Sequence, residues 1–188
     1  MVILGIDPGT SSIGYSIVDT GTDPRIRAAV AHSRPAETSG VAQVGEAEAR
    51  ILHAGVFRLD RIAPGERLIA LHTGVKKLIG EWHPEAFAIE KLFFAKNTKT
   101  AMAVSESRGA LLLTAALAGI RVFEYTPLEI KKTVTGDGRA DKAQMEKMIR
   151  LMLPDAVKIR TQDDTFDAIA VAYTCYLKEF RNPYARYL

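Results

Sequence analysis

Apolar positions along the chain follow two rhythms. Short unbroken runs predict buried strands, and longer stretches with apolar residues three and four apart predict helices. Val2–Ile6 is a run of the first kind that ends on Asp7 and stops at Pro8-Gly9, which predicts a buried strand delivering an acid to a sheet edge. Gly14–Val18 follows after a short turn at Gly9–Ser12, so the two strands form an antiparallel hairpin. Asp19–Ala49 is rich in Gly, Pro, Ser, Thr and Ala, with no sustained period, and reads as a long loop insertion. Arg50–Leu59 completes a three-stranded meander.

Helical spacing begins after the break at Pro64-Gly65. Leu68, Ile69, Leu71, Val75, Leu78, Ile79 and Trp82 define an amphipathic helix over Glu66–Trp82. Glu85–Glu90 is short, apolar and set between two helices, which predicts a strand parallel to its sheet neighbour and buried on both faces. Lys96–Ala118 is a second long helix with Gly119 as its C-terminal cap, and Arg121–Tyr125 is a fifth strand. Thr126 and Pro127 have the order of an N-cap and first helical residue, opening a short helix to Val134. After the loop Gly136–Gly138, helices follow at Ala140–Leu153, stopped by Pro154, and at Asp163–Phe180. The resulting order is β-β-β-α-β-α-β-α-α-α. It predicts an α/β domain over residues 1–188, with three antiparallel strands and then two parallel ones in a mixed five-stranded sheet, flanked by helices on both faces.

The 188 residues suffice for one domain with a real core, and 25% charged residues is ordinary for a globular protein. No apolar run approaches the roughly 20 residues that cross a bilayer. The N-terminus lacks a basic region and a cleavage site, so no secretion signal is expected. A single cysteine, Cys175 in an apolar helix, suits a reduced cytoplasmic setting and a core position. The net charge of +3 is unevenly spread, since Lys91–Arg150 holds 11 Lys and Arg against 6 Asp and Glu. A basic middle beside acidic clusters fits an anionic partner near a metal site, and fits a solvated helix surface equally.

Four acids give that choice its content. If the fourth strand lies parallel beside the first, Asp7 and Glu90 emerge at the same C-terminal edge, where open α/β sheets bind ligands. Asp164 and Asp167 are three apart on the last helix and share one face. Each acid has a plainer reading alone. Asp7 suits a turn, Asp163 or Asp164 suits an N-cap, and Glu90 suits a pair with Lys91 or Lys96. Gathered together they repel one another, and a hard cation such as Mg²⁺ or Mn²⁺ relieves the repulsion. Two such ions about 3.5–4 Å apart serve phosphodiester hydrolysis.

The ordered set of segments ILGIDPGTSSIGYSIV, FAIEKLFFAKNTKTAMAVSESRGAL, VFEYTPLEIKKTVTGDGRADKAQMEKMI and DDTFDAIAVA resembles the RuvC family of Holliday-junction resolvases, which have a ribonuclease H-like fold. The stretch IE-x-x-F-x-AKN with its downstream RGA is the most specific part. The resemblance implies a Mg²⁺-dependent endonuclease, acting as a homodimer, that nicks two opposing strands of a four-way DNA junction in recombination and repair. It puts the metal-binding acids on Asp7, Glu90, Asp164 and Asp167, with Asp163 a spare that blurs the alignment by one. It puts a base-stacking aromatic on Phe93 and basic residues near the scissile backbone on Lys131 and Lys142. Lys96, Asn97 and Lys99 open a helix beside Glu90, a position that favours phosphate oxygens. The branch-migration helicase RuvAB is the partner the resemblance implies.

Two other readings compete. GIDPGT also resembles the phosphate loop of actin-like ATPases and sugar kinases, but those proteins close two such domains on the nucleotide and give no task to Asp164 and Asp167. A ribonuclease H-like nuclease acting on flaps or hybrids, or a junction-binding protein with weak catalysis, shares the same residues.

Overall fold

The computed structural model describes residues 1–21, 49–60, 62–91, 98–159 and 163–181. Most of the expected insertion, residues 22–48, lies outside them. The strands are β1 (Val2–Asp7), β2 (Ser12–Asp19), β3 (Arg50–Arg58), β4 (Ala86–Glu90) and β5 (Arg121–Tyr125). The helices are α1 (Pro64–Trp82), α2 (Thr98–Leu117), α3 (Pro127–Thr135), α4 (Lys142–Met152) and α5 (Asp163–Cys175), with a 3₁₀ turn at Pro154–Lys158 and a π turn at Tyr176–Phe180. The sheet order is β3-β2-β1-β4-β5. β1, β2 and β3 pair antiparallel, and β4 joins β1 and β5 in parallel.

Alternation along the central strands divides the core in two. Leu4, Ile6, Phe87 and Ile89 point to the face covered by Leu71, Val75 and Leu78 of α1 and Leu111 and Ala115 of α2. Ile3, Ala86 and Ala88 point to the other face, against Phe166, Ile169 and Ala172 of α5 and Ile130 and Ile149 of α3 and α4. Ile3, Leu4, Ile6, Phe87 and Ile89 are fully buried. Each such side chain contributes about 1.5–3 kcal/mol of transfer free energy. With period two, Asp7 and Glu90 continue the α5-facing set. Ile6 pairs with Ile89, so the next residues, Asp7 and Glu90, end their strands level with each other.

Directly under the first turns of α5 the sheet presents small residues, Gly5, Gly14 and Ser16. A Cβ on Gly5 would stand 2.5 Å from the Ala168 carbonyl oxygen, and one on Gly14 would overlap the Asp164 backbone. Ser16 donates its Oγ–H to the Ala168 carbonyl at 2.9 Å. The helix therefore lies directly on β1 and β2, a contact that only glycine at 5 and 14 permits. Arg150 of α4 fastens the approach to α5. It donates to the carbonyls of Ala156 and Ile159, pairs with Glu146 and sits over the Phe166 ring.

The element order agrees with the sequence expectation, and the differences lie at ends. β2 runs two residues further back, to Ser12, and one further on, to Asp19. Asp19 is buried and receives the N-terminal ammonium at 3.4 Å, so it closes the hairpin rather than opening the loop. The last helix changes at Cys175 into the π turn. α4 starts at Lys142, because Asp141 and Gln144 form a capping box there. On α1, Ile69 faces outward at 67% exposure, off the apolar stripe the spacing assigns it to. Thr126 caps α3 in a capping box with Glu129, Gly119 has the left-handed φ of 68°, and Cys175 is fully buried, all as expected.

Candidate active site

The site forms where the antiparallel and parallel halves of the sheet meet. Asp7 arrives on β1, Glu90 on β4, and Asp164 and Asp167 on the first turns of α5. Among the described residues, Asp7, Asp164 and Asp167 each offer a carboxylate oxygen within 4.8 Å of the others. Glu90 stands outside that trio but inside its field. Burial drives the Asp7 carboxyl well above the usual range, and Glu90, Asp167 and Asp164 push it further. Burial and then Asp167 push Glu90 up to about 7. Such a set binds protons or a cation in preference to standing bare. An all-oxygen donor set fits a hard divalent ion, so these residues could hold a metal.

Basic groups counter the acids from α3 and α4. Lys142 Nζ lies 3.1 Å from Asp167 Oδ2 and lowers the protonation tendency of both Asp7 and Glu90. Lys131 lowers that of Glu90. The expected pair of lysines is thus brought to the acids. Phe93, Lys96 and Asn97 lie outside the described residues, and Lys99 is described only in its backbone, in the first turn of α2. The side chain of Asp163 also lies outside them, while that of Asp164 belongs to the trio.

Two supporting residues were not legible in the sequence. Ser12 donates its hydroxyl to Asp164 Oδ2, and so fixes that carboxylate from the start of β2. Its place in GTSS signals a turn and carries no hint of a partner 152 residues away. Arg108 of α2 donates to the Glu90 carbonyl at 3.5 Å and pairs with Glu124 of β5, bracing the end of β4. The downstream RGA motif contains this arginine, which is the one signal that could have found it.

A mixed sheet in this order, with acids where its two halves join and one helix adding two more, defines a ribonuclease H-like nuclease. A family model described as crossover junction endodeoxyribonuclease RuvC matches residues 33–175. The chain belongs to the RuvC family of crossover junction endodeoxyribonucleases. It is 41% identical to the crossover junction endodeoxyribonuclease RuvC of Roseiflexus sp. over 90% of this chain and 86% of that one. Among solved structures, Thermus thermophilus RuvC superposes with a TM-score of 0.73 at 28% identity, covering 100% of this chain and 96% of that one. The same protein in complex with a Holliday junction substrate also gives 0.73, at 30% identity, covering 93% of this chain and 92% of that one. Among the described residues, no helix is long and apolar enough to cross a membrane.

Proposed function

We propose that this protein is a cytoplasmic, structure-selective endonuclease that resolves four-way DNA junctions in recombination and repair by hydrolysing a phosphodiester bond in each of two opposing strands. The convergence of Asp7, Asp164 and Asp167 from distant parts of the chain carries the reading. The solved complex of Thermus thermophilus RuvC with a Holliday junction substrate supports the substrate class.

In this reading Asp7, Glu90, Asp164 and Asp167 hold Mg²⁺, with Mn²⁺ able to substitute and two ions in each site. When bound, the ions make water nucleophilic at neutral pH and stabilise charge on the leaving oxygen. The chain supplies the rest. Burial of Asp7 and the crowding of its neighbours store repulsion that a cation relieves. Ser12 holds the Asp164 carboxylate in one orientation. Lys131 and Lys142 neutralise phosphates near the scissile bond, and Lys96, Asn97 and Lys99 add contacts to the backbone. Phe93 stacks on an unpaired base at the crossover, an interaction worth about 1–3 kcal/mol. Two cuts related by a two-fold axis require two sites, which a homodimer supplies. RuvAB is the partner that moves the junction.

The test is to offer junction, flap, RNA–DNA hybrid and duplex substrates in Mg²⁺. Symmetric nicks on the junction alone are expected, with Asp7→Asn still binding the junction without cutting it. Equal cleavage of hybrid or duplex would overturn the substrate assignment, and normal cutting by Asp7→Asn would overturn the site.

A further inference from the structure

Lys142 stands at an uncomfortable place for a cation. It is the first residue of α4, and the backbone N–H groups of a helix N-terminus repel positive charge. Asp141 caps that end and leaves Lys142 to point across to α5. There its Nζ meets Asp167 Oδ2 at 3.1 Å, with the lysine side chain 65% exposed and the aspartate 30%. The pair therefore sits at the water boundary, where an ion pair is weak and readily exchanged. Asp167 also belongs to the carboxylate trio with Asp7 and Asp164. The Asp167 carboxylate thus has two claimants, the ammonium of this chain and a divalent ion.

We propose that Lys142 is an internal counter-cation that competes with the metal ion for Asp167, so that drawing Lys142 away onto a DNA phosphate opens the acid cluster to metal. The inference rests on the metal-binding reading of the cluster. Without DNA, the ammonium neutralises part of the cluster and holds metal affinity down. A phosphate arriving beside α4 gives Lys142 a new partner of the same charge as the one it leaves, and the helix end loses nothing by the exchange. Metal loading and substrate binding then reinforce each other by the same factor in both directions. Lys131 is the internal comparison. It also acts on Glu90 from α3, yet among the described residues no ion pair is seen between it and the trio.

The readout is Mn²⁺ binding to the DNA-free protein, followed by electron paramagnetic resonance. Lys142→Met is expected to tighten Mn²⁺ binding about three- to fivefold, the upper part of the range of a surface ion pair, and Lys131→Met by clearly less. Lys142→Arg, which keeps the charge and the reach, is expected to bind Mn²⁺ as the parent does. Circular dichroism checks that each variant is folded. If Lys142→Met binds Mn²⁺ no more tightly than the parent, or gains no more than Lys131→Met, the competition is refuted. If the parent takes up no Mn²⁺, or Asp167→Asn binds it as well as the parent, the metal-site reading itself fails instead.

Discussion

Gly14 stands directly across from Asp7 in the β1–β2 pairing, and the space its missing side chain leaves is filled by the backbone of Asp164. One strand pair thus sets two acids of the site at once, because the glycine that lets α5 descend is the neighbour of the acid that α5 must meet. Gly5 and Ser16 continue the same seat along the helix.

A methyl group at residue 14 should therefore lift the start of α5. Gly14→Ala is expected to lower unfolding free energy by about 1–3 kcal/mol, the range of overpacked cores, and to weaken cleavage more than binding. Urea denaturation and a junction cleavage assay check both. Gly65→Ala, in the first turn of α1 where a Cβ meets nothing within 4 Å, is the control and should leave cleavage unchanged and stability equal or slightly raised.

The hydroxyl of Ser12 orients Asp164 from outside the acid cluster. Residues of this kind around a metal site are worth about 10–100-fold in metal affinity or activity. Ser12→Ala should shift the Mg²⁺ concentration for half-maximal cleavage upward by about tenfold, with junction binding retained. A Mg²⁺ titration that leaves this midpoint in place would remove Ser12 from the mechanism.

Crowding of the acids makes the metal-free protein sensitive to pH. Asp7 and Glu90 both have folded-state values above their unfolded ones. The folded chain then holds more protons between the two values, and its stability falls as pH rises through that window. For Glu90 the window runs from 4.5 to about 7. Urea midpoints in chelator, compared between about pH 5 and about pH 8, should show this loss, and Glu90→Gln should reduce it. A Glu90→Gln variant with the parent's full pH dependence would show that Glu90 has no part in it.

Lys131 acts on Glu90 from α3, so its charge reaches the acid cluster. Lys131→Met should weaken junction binding uniformly across sequences and reduce the slope of log affinity against log salt by about 1. A slope equal to the parent's would mean that Lys131 touches no phosphate.

Much of this protein is written locally in its chain. The unbroken apolar runs before Asp7 and Glu90, the Thr126-Pro127 start of α3 and the left-handed Gly119 each obey rules that act over a few residues, and each element formed where those rules put it. Parity belongs to this group as well. Ile3, Gly5 and Asp7 share a face whatever the strand later packs against. Folding decided the relations between elements. The Ile6–Ile89 register makes Asp7 and Glu90 end level, and the outward turn of Ile69 shows that helical spacing alone does not say which edge of a stripe meets a neighbour. Ser12 found its acid, and Lys142 its aspartate, across gaps in the chain that carry no local signal. Strand and helix preferences are set by neighbouring residues, whereas contacts between distant side chains exist only once packing has brought the backbones together, so only the three-dimensional arrangement could reveal them.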